Sequence, residues 1–242
     1  MVAGAADARR VCHVDKAEQG ALESTKRPIV LLRKRAEARF AAGLADNLPE
    51  LGVMLPCTPV QHLLLHDFAE ALRAQQGDSA LPMLVMTSGN LHNEPIVTDD
   101  DQALVKFAGI ADAVLGNNRR ILSRYDDSVL RVVRVGDEQA IQFVRRARGF
   151  APLPIALDCP EAQSKQETLL ATGSEQKATF TLVRAAAADD QRPDAFVSQH
   201  IGDVENAETY DAWLEAEERY RQLFQETPRH LACDAHPEYL AS

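Results

Sequence analysis

Apolar and polar positions alternate along the chain in blocks that read as short strands and amphipathic helices. Asp15, followed three residues later by Glu18, forms a capping box that opens a short helix through Leu22. Pro28–Leu32 is an apolar run of strand length, closed by Arg33, Lys34 and Arg35, and Leu51–Leu55 is a second such run. Thr58 and Pro59 supply the N-cap and first residue of a helix through about Leu72, with Val60, Leu63, Leu64 and Phe68 on one side. The segment from Leu84 predicts a buried strand that empties into Thr87, Ser88, Gly89 and Asn90. Thr98 is expected to cap a helix whose first turn carries Asp99, Asp100 and Asp101, a placement the helix dipole favours. Leu104, Phe107 and Ala108 would face inward there, and Gly109 would end it. Ala113–Leu115 reads as a short strand, and Gly116–Asn118 as a turn. Ser128–Val135 and Gln139–Val144, joined through Gly136 and Asp137, make a hairpin.

From Ala151 to about Thr168 the composition shifts to Pro152, Pro154 and Pro160, then Glu, Gln, Ser and Lys, marking a domain boundary. Beyond it, Leu169–Gly173 and Thr179–Val183 read as paired strands around Ser174–Lys177. Ala185–Asp194 is a polar, Ala-rich loop. Ala195–Val197 resumes a strand that exits into Ser198–Asp203. Asn206 caps an amphipathic helix to about Gln225, with Tyr210, Leu214, Tyr220, Leu223 and Phe224 as core candidates. Leu231–Asp234 is a last short strand.

At 242 residues the chain can hold one or two domains, and its net charge of −10 argues against a protein built mainly to grip polyanions. Nothing approaches a membrane-spanning apolar run or a signal-peptide h-region, so cytoplasmic residence is expected. Cys12, Cys57, Cys159 and Cys233 are far apart, without the spacing of a zinc knuckle or a disulfide framework. His62 and His66 lie four apart on a helix, with no acidic third ligand nearby, and no metal site is assigned.

Two clusters carry candidate chemistry. The Thr87–Asn90 exit offers hydroxyls and an amide at the end of a strand, where ligands bind in open α/β sheets, although an ordinary turn would use the same residues. Arg145, Arg146 and Arg148 surround Gly149 at another strand end, and guanidinium forks grip phosphate oxygens in pairs. A solvated basic turn is the competing reading. The triplet Arg33–Arg35 suits a solvated strand end better than a phosphate site.

The motifs Arg27–Arg33, Leu51–Pro56, Met86–Asn90 with Glu94–Thr98, Asp126–Ser128, Arg145–Gly149, Ser198–Asp203 with Glu205–Thr209, and Ala232–Asp234 with His236 and Pro237 occur in one order. In this they resemble the HypF family of hydrogenase-maturation carbamoyltransferases, from about residue 7 to the C-terminus. The resemblance implies an α/β protein: residues 1–155 form part of a YrdC-like twisted open sheet with helices, and 156–168 a linker. Residues 169–242 would begin an actin-like ATPase (TsaD-like) α/β domain. It further implies carbamoyl-adenylate formation from ATP, with Mg, and carbamoyl phosphate, then carbamoyl transfer to the C-terminal cysteine of HypE for the cyanide ligands of the nickel–iron site.

By the same resemblance, Thr87, Ser88, Asn90, Asp127, Ser128, Arg146 and Arg148 are nucleotide and carbamoyl-adenylate residues. Lys177, His200 and Asp203 are candidates in the second domain. Family members carry acylphosphatase and zinc modules before this region and a histidine-rich metal motif after it. The chain is therefore expected to begin inside one domain and end inside another, with the metal ligands outside it. A threonylcarbamoyl-adenylate synthase shares the YrdC unit, but the segment after the linker favours the carbamoyltransferase. Double-stranded RNA is disfavoured as a partner by the acidic total and the lack of aromatic–basic interleaving. A non-functional product of a truncated gene is the remaining alternative.

Overall fold

Local capping chemistry decides where the helices start. In this computed structural model, which describes residues 1–92, 94–158, 167–184 and 192–241, Asp15 accepts from the Glu18 amide while Glu18 accepts from the Asp15 amide, opening α2 (Lys16–Glu23). The preceding α1 (Ala5–Val11) lacks a side-chain cap and has no sequence signature of its own. Thr58 caps α3 (Pro59–Gln76), and Asn206 caps α5 (Ala207–Phe224). The cap of α4 (Asp100–Lys106) is Asp99 and not Thr98, because the Asp99 carboxylate accepts from the Gln102 amide.

The chain divides into two compact units, Met1–Thr87 with Asp127–Gly149, and Ser88–Asp126 with Phe150–Ser242. The first is built on a four-stranded mixed sheet of β1 (Ile29–Arg33), β2 (Glu50–Val53), β3 (Val129–Val135) and β4 (Glu138–Arg145), in the order β2-β1-β3-β4. β1 and β3 run parallel, and the other pairs are antiparallel. Val30 and Leu32 alternate into the core beside Leu130, with Leu22 of α2 also fully buried. The hairpin expected around Gly136–Asp137 is present, with Val135 opposite Glu138. Gln139 donates to the Asp15 carboxylate, tying β4 to the cap of α2.

The second unit carries a five-stranded mixed sheet, β5 (Ile155–Ala156), β6 (Leu169–Thr172), β7 (Phe180–Arg184), β8 (Asp194–Val197) and β9 (His230–Ala232), in the order β5-β8-β7-β6-β9. Its core gathers Leu170, Phe180, Leu182, Phe196 and Val204 against Trp213, Ala216 and Tyr220 of α5. Phe180 packs edge-on against both Trp213 and Tyr220. The central part of the proline-rich linker and the start of the Ala-rich loop, with Cys159, fall outside the described residues.

Several expected elements differ. The apolar segment Leu84–Met86 is not a strand: the Leu84 amide and carbonyl exchange bonds with Met1, and Val85 is 75% exposed. Ala113–Leu115 is irregular, with Leu115 79% exposed, and among the described residues no strand pairs with it. No residue of α4 is buried, so Leu104 and Ala108 do not face a core. In α3 the buried residue is Leu65, against Met1 and Met54, while Val60, Leu63 and Leu64 are exposed. That helix is apolar on several sides, so periodicity does not single out the buried face. On α5 the buried stripe is Thr209, Trp213, Ala216, Glu217 and Tyr220, with Leu214 and Leu223 exposed.

Candidate functional site

The Ser-Gly-Asn turn opens the second unit, one residue after Thr87 closes the first segment of the other. The Ser88 hydroxyl donates to Asn90 Oδ1 at 2.6 Å, and Asn90 Nδ2 donates to the Leu91 carbonyl at 2.9 Å. Val97 returns its amide to the Gly89 carbonyl, closing the loop that carries Glu94, itself paired with Lys106 of α4. Thr87 and Ser88 are exposed and Asn90 half-buried. These bonds orient the hydroxyl and the amide, and Ser88 can donate to a ligand oxygen by exchanging its bond to Asn90.

The arginine turn belongs to the first unit and is latched from within. Ser128 is fully buried; its hydroxyl accepts from the Ala147 amide at 2.8 Å and donates to the Arg148 carbonyl at 2.9 Å. Asp127 Oδ1 receives both Nε (2.7 Å) and Nη2 (2.6 Å) of Arg148. The same guanidinium reaches the carbonyls of Lys26 and Arg27. Gly149 follows at φ +85°, where an added Cβ would stand 2.4 Å from the Lys26 carbonyl oxygen. Only glycine fits so close to backbone at a left-handed φ. Arg146 is half-buried on the turn these contacts define. Nearby, burial pushes the Cys57 thiol above its ordinary range, with Arg148 opposing the shift and Asp127 adding to it.

The second-domain candidates are joined through backbone. Lys177 lies at φ +52° in the β6–β7 turn, and its amide donates to Asp203 Oδ1 at 2.7 Å. Asp203 thus fastens that turn to the loop leaving β8, with Ala178 bridging Gly202. Both side chains are exposed. His200 Nδ1 faces Asp126 Oδ2 at 3.4 Å, a carboxylate–imidazole pair in which each side chain is about 20% exposed. Asp126 stands in the motif that led to Asp127 and Ser128, yet its histidine partner lies 74 residues away and the spacing gives no sign of it. Among the described residues no group of three or more His, Cys, Asp or Glu is placed to hold a metal ion. No helix among them is long and apolar enough to cross a membrane.

Comparison with known proteins adds sequence and fold relatives. The Sua5/YciO/YrdC family model, which carries the description telomere recombination, matches residues 1–147, and the HypF Kae1-like domain model matches residues 164–242. Carbamoyltransferase HypF2 of Cupriavidus necator is 42% identical over 250 residues, covering 100% of this chain and 29% of that protein. Carbamoyltransferase HypF of Synechocystis is 38% identical, covering 91% of this chain and 25% of that protein. The chain thus spans less than a third of these relatives. A crystal structure of full-length HypF in its phosphate- and nucleotide-bound form superposes with a TM-score of 0.82 at 38% identity, covering 100% of this chain and 34% of that one. The HypF structure from T. kodakarensis gives 0.81 at 30%, covering 100% and 28%. The chain belongs to the Sua5/YciO/YrdC family, with a HypF Kae1-like domain segment following in the same polypeptide.

Proposed function

We propose that the chain carries the carbamoyl-adenylate-forming part of a HypF-type carbamoyltransferase, followed by the first part of its transfer domain. The observation that supports this most directly is the Ser88–Asn90 pair, an exposed hydroxyl and a half-buried amide joined by a hydrogen bond at a glycine turn. In the reaction water first cleaves carbamoyl phosphate to carbamate and inorganic phosphate, and a carbamate oxygen then attacks the α-phosphorus of MgATP as the bond to the departing pyrophosphate oxygen breaks. Neither covalent nucleophile nor redox step is required; positioning and charge stabilisation suffice. Ser88 and Asn90, with Thr87 beside them, hold the acyl-phosphate oxygens. Arg146 offsets charge on the departing pyrophosphate. Asp127, Ser128 and Arg148 serve recognition by fixing the turn from which Arg146 projects. Residues 1–155 form the YrdC-like part and 169–242 the start of the TsaD-like part, where Lys177, His200 and Asp203 shape the first loops. The carbamoyl group then passes to the C-terminal cysteine thiolate of HypE, in the cytoplasm.

Isothermal titration with MgATP tests the reading. Binding in the micromolar to millimolar range is expected, weakened about tenfold by Asn90→Ala, the effect of one good hydrogen bond to a charged group. No heat of binding at millimolar ATP would overturn it.

A further inference from the structure

A groove of about 750 Å³ runs beside α3, built entirely within the first unit and lined by none of the candidate site residues described above. His62, His66, Ala69 and Arg73 face it, a stripe with steps of four, three and four residues along one side of the helix. Both histidines are exposed, while Leu65 between them is buried against Met1 and Met54 and anchors the helix under the pair. Residues four apart on a helix have Cβ atoms about 5–6 Å from one another. A ring nitrogen of each imidazole can then reach one cation at the usual distance of about 2.0 Å.

Asp67 supplies the independent observation. Its Oδ1 lies 3.1 Å from His66 Nδ1. When Nδ1 carries the ring proton it donates to that carboxylate, and the Nε2 lone pair is left to ligate with raised basicity, as in carboxylate–histidine–metal arrangements. The wall of the groove is acidic on balance, with the carboxylates of Asp7, Glu70 and Asp78 against the guanidiniums of Arg10 and Arg73. Both cations are engaged: Arg10 Nη2 donates to the Ser79 carbonyl at 2.6 Å, and Arg73 pairs with Glu70. Among the described residues no set of three His, Cys, Asp or Glu ligands is assembled, so water would fill the remaining positions. Two imidazoles with water suit Cu²⁺ and Zn²⁺, whereas Mg²⁺ takes oxygen ligands.

We propose that His62 and His66 form a two-nitrogen site for a divalent transition-metal cation of the Cu²⁺ and Zn²⁺ class, with Asp67 positioning His66. The site does not rest on the function proposed above. The test titrates the whole chain at neutral pH, in a weakly coordinating buffer, with CuCl₂, ZnCl₂ and MgCl₂ by calorimetry. Cu²⁺ should bind at least about tenfold tighter than Zn²⁺, and Mg²⁺ undetectably. Paramagnetic resonance of the complex with one equivalent of Cu²⁺ should show two nitrogen donors. His62→Asn and His66→Asn should each weaken Cu²⁺ about thirtyfold and remove one of those donors. Asp67→Asn should weaken it about threefold, less than at a buried site because the carboxylate is exposed. Other histidines and the amino terminus can also take Cu²⁺, so the deciding variant keeps the histidine count. His66→Asn combined with Asp67→His moves the pair to a spacing of five, about 140° apart around the helix, and should bind as weakly as His66→Asn alone. All three positions are exposed, and circular dichroism checks that each variant folds. Equal Cu²⁺ affinity in the parent and the shifted pair, or parent binding no tighter than about 1 mM, would overturn the proposal.

Discussion

Gly149→Ala is the sharpest perturbation of the arginine turn. The residue sits at φ +85°, so any L side chain there costs about 1–2 kcal/mol of backbone strain. The new Cβ would also stand 2.4 Å from the Lys26 carbonyl oxygen and 2.9 Å from Lys26 Cα, both backbone atoms that cannot rotate away. Relief requires the turn to lift, which stretches the Arg148 bonds to the Lys26 and Arg27 carbonyls and costs about another 1–2 kcal/mol. The total is about 3 kcal/mol, or a factor of about 150 in local opening. Gly136→Ala provides the control, because Gly136 also has positive φ (+62°) but nothing within 4 Å of its added Cβ. Amide hydrogen exchange is the assay, followed at Ile29, whose N–H donates to the Ser128 carbonyl, and along the β3–β4 ladder. Trp213, the sole tryptophan, lies in the core of the second unit, so its emission reports that unit separately. If Gly149→Ala accelerates exchange less than fivefold beyond Gly136→Ala, the crowding argument fails.

Three further outcomes are expected. Phe180→Ala removes the ring that packs against Trp213 and Tyr220, and should destabilise the second unit by about 3–5 kcal/mol, read as a lower urea midpoint in tryptophan emission. At neutral pH Asp15→Ala should cost α2 about 1 kcal/mol of helix stability. The Glu18 amide holds the Asp15 carboxyl below its ordinary value, so this contribution is complete above the unfolded-state pKa and fades as pH falls through the folded one. Exchange of the α2 amides in parent and variant should therefore converge on acidification below about pH 4, and a gap that stays constant would refute the linkage. Iodoacetamide at pH 8 should modify exposed Cys233 well before Cys57, with Cys12 last, because burial pushes the Cys12 thiol up to about 11 and also raises Cys57. Peptide mass spectrometry reads the order, and equal rates would refute it.

What the sequence discloses and what it hides follow from range. Asp15, Thr58 and Asn206 act on amides three residues away, so the starts of their helices are legible. The Gly136–Asp137 hairpin and the β6–β7 pair are legible for the same reason. Leu84–Met86 misleads because an apolar run becomes a strand only when a ladder partner continues along it, and among the described residues the pairing with Met1 and Val2 stops at Leu84. The buried stripe of α5 shifts from Leu214 and Leu223 to Trp213 and Glu217, since burial follows where Phe180 and Tyr220 meet and not apolarity alone. At the candidate site the polar residues are legible, but their bonds to each other are not. Arg148 reads as an anion-binding fork until its partners, the carbonyls of Lys26 and Arg27, arrive from more than 120 residues upstream.

The first unit is written in two instalments, and this has a consequence for synthesis. On the ribosome β1 finds β2 at once, within some twenty residues, but its other edge waits for Val129 and Leu130. The latch at Gly149 emerges about 60 residues after Thr87, a delay of about 3–12 s at ordinary elongation rates of about 5–20 residues per second. Throughout that interval a short two-stranded hairpin shows an open edge with Val30 and Leu32 beside it, the arrangement most prone to mispairing with another nascent chain. Translation speed across residues 88–149 therefore becomes a determinant of yield, and slowing it should increase the aggregated fraction without changing the stability of the folded protein.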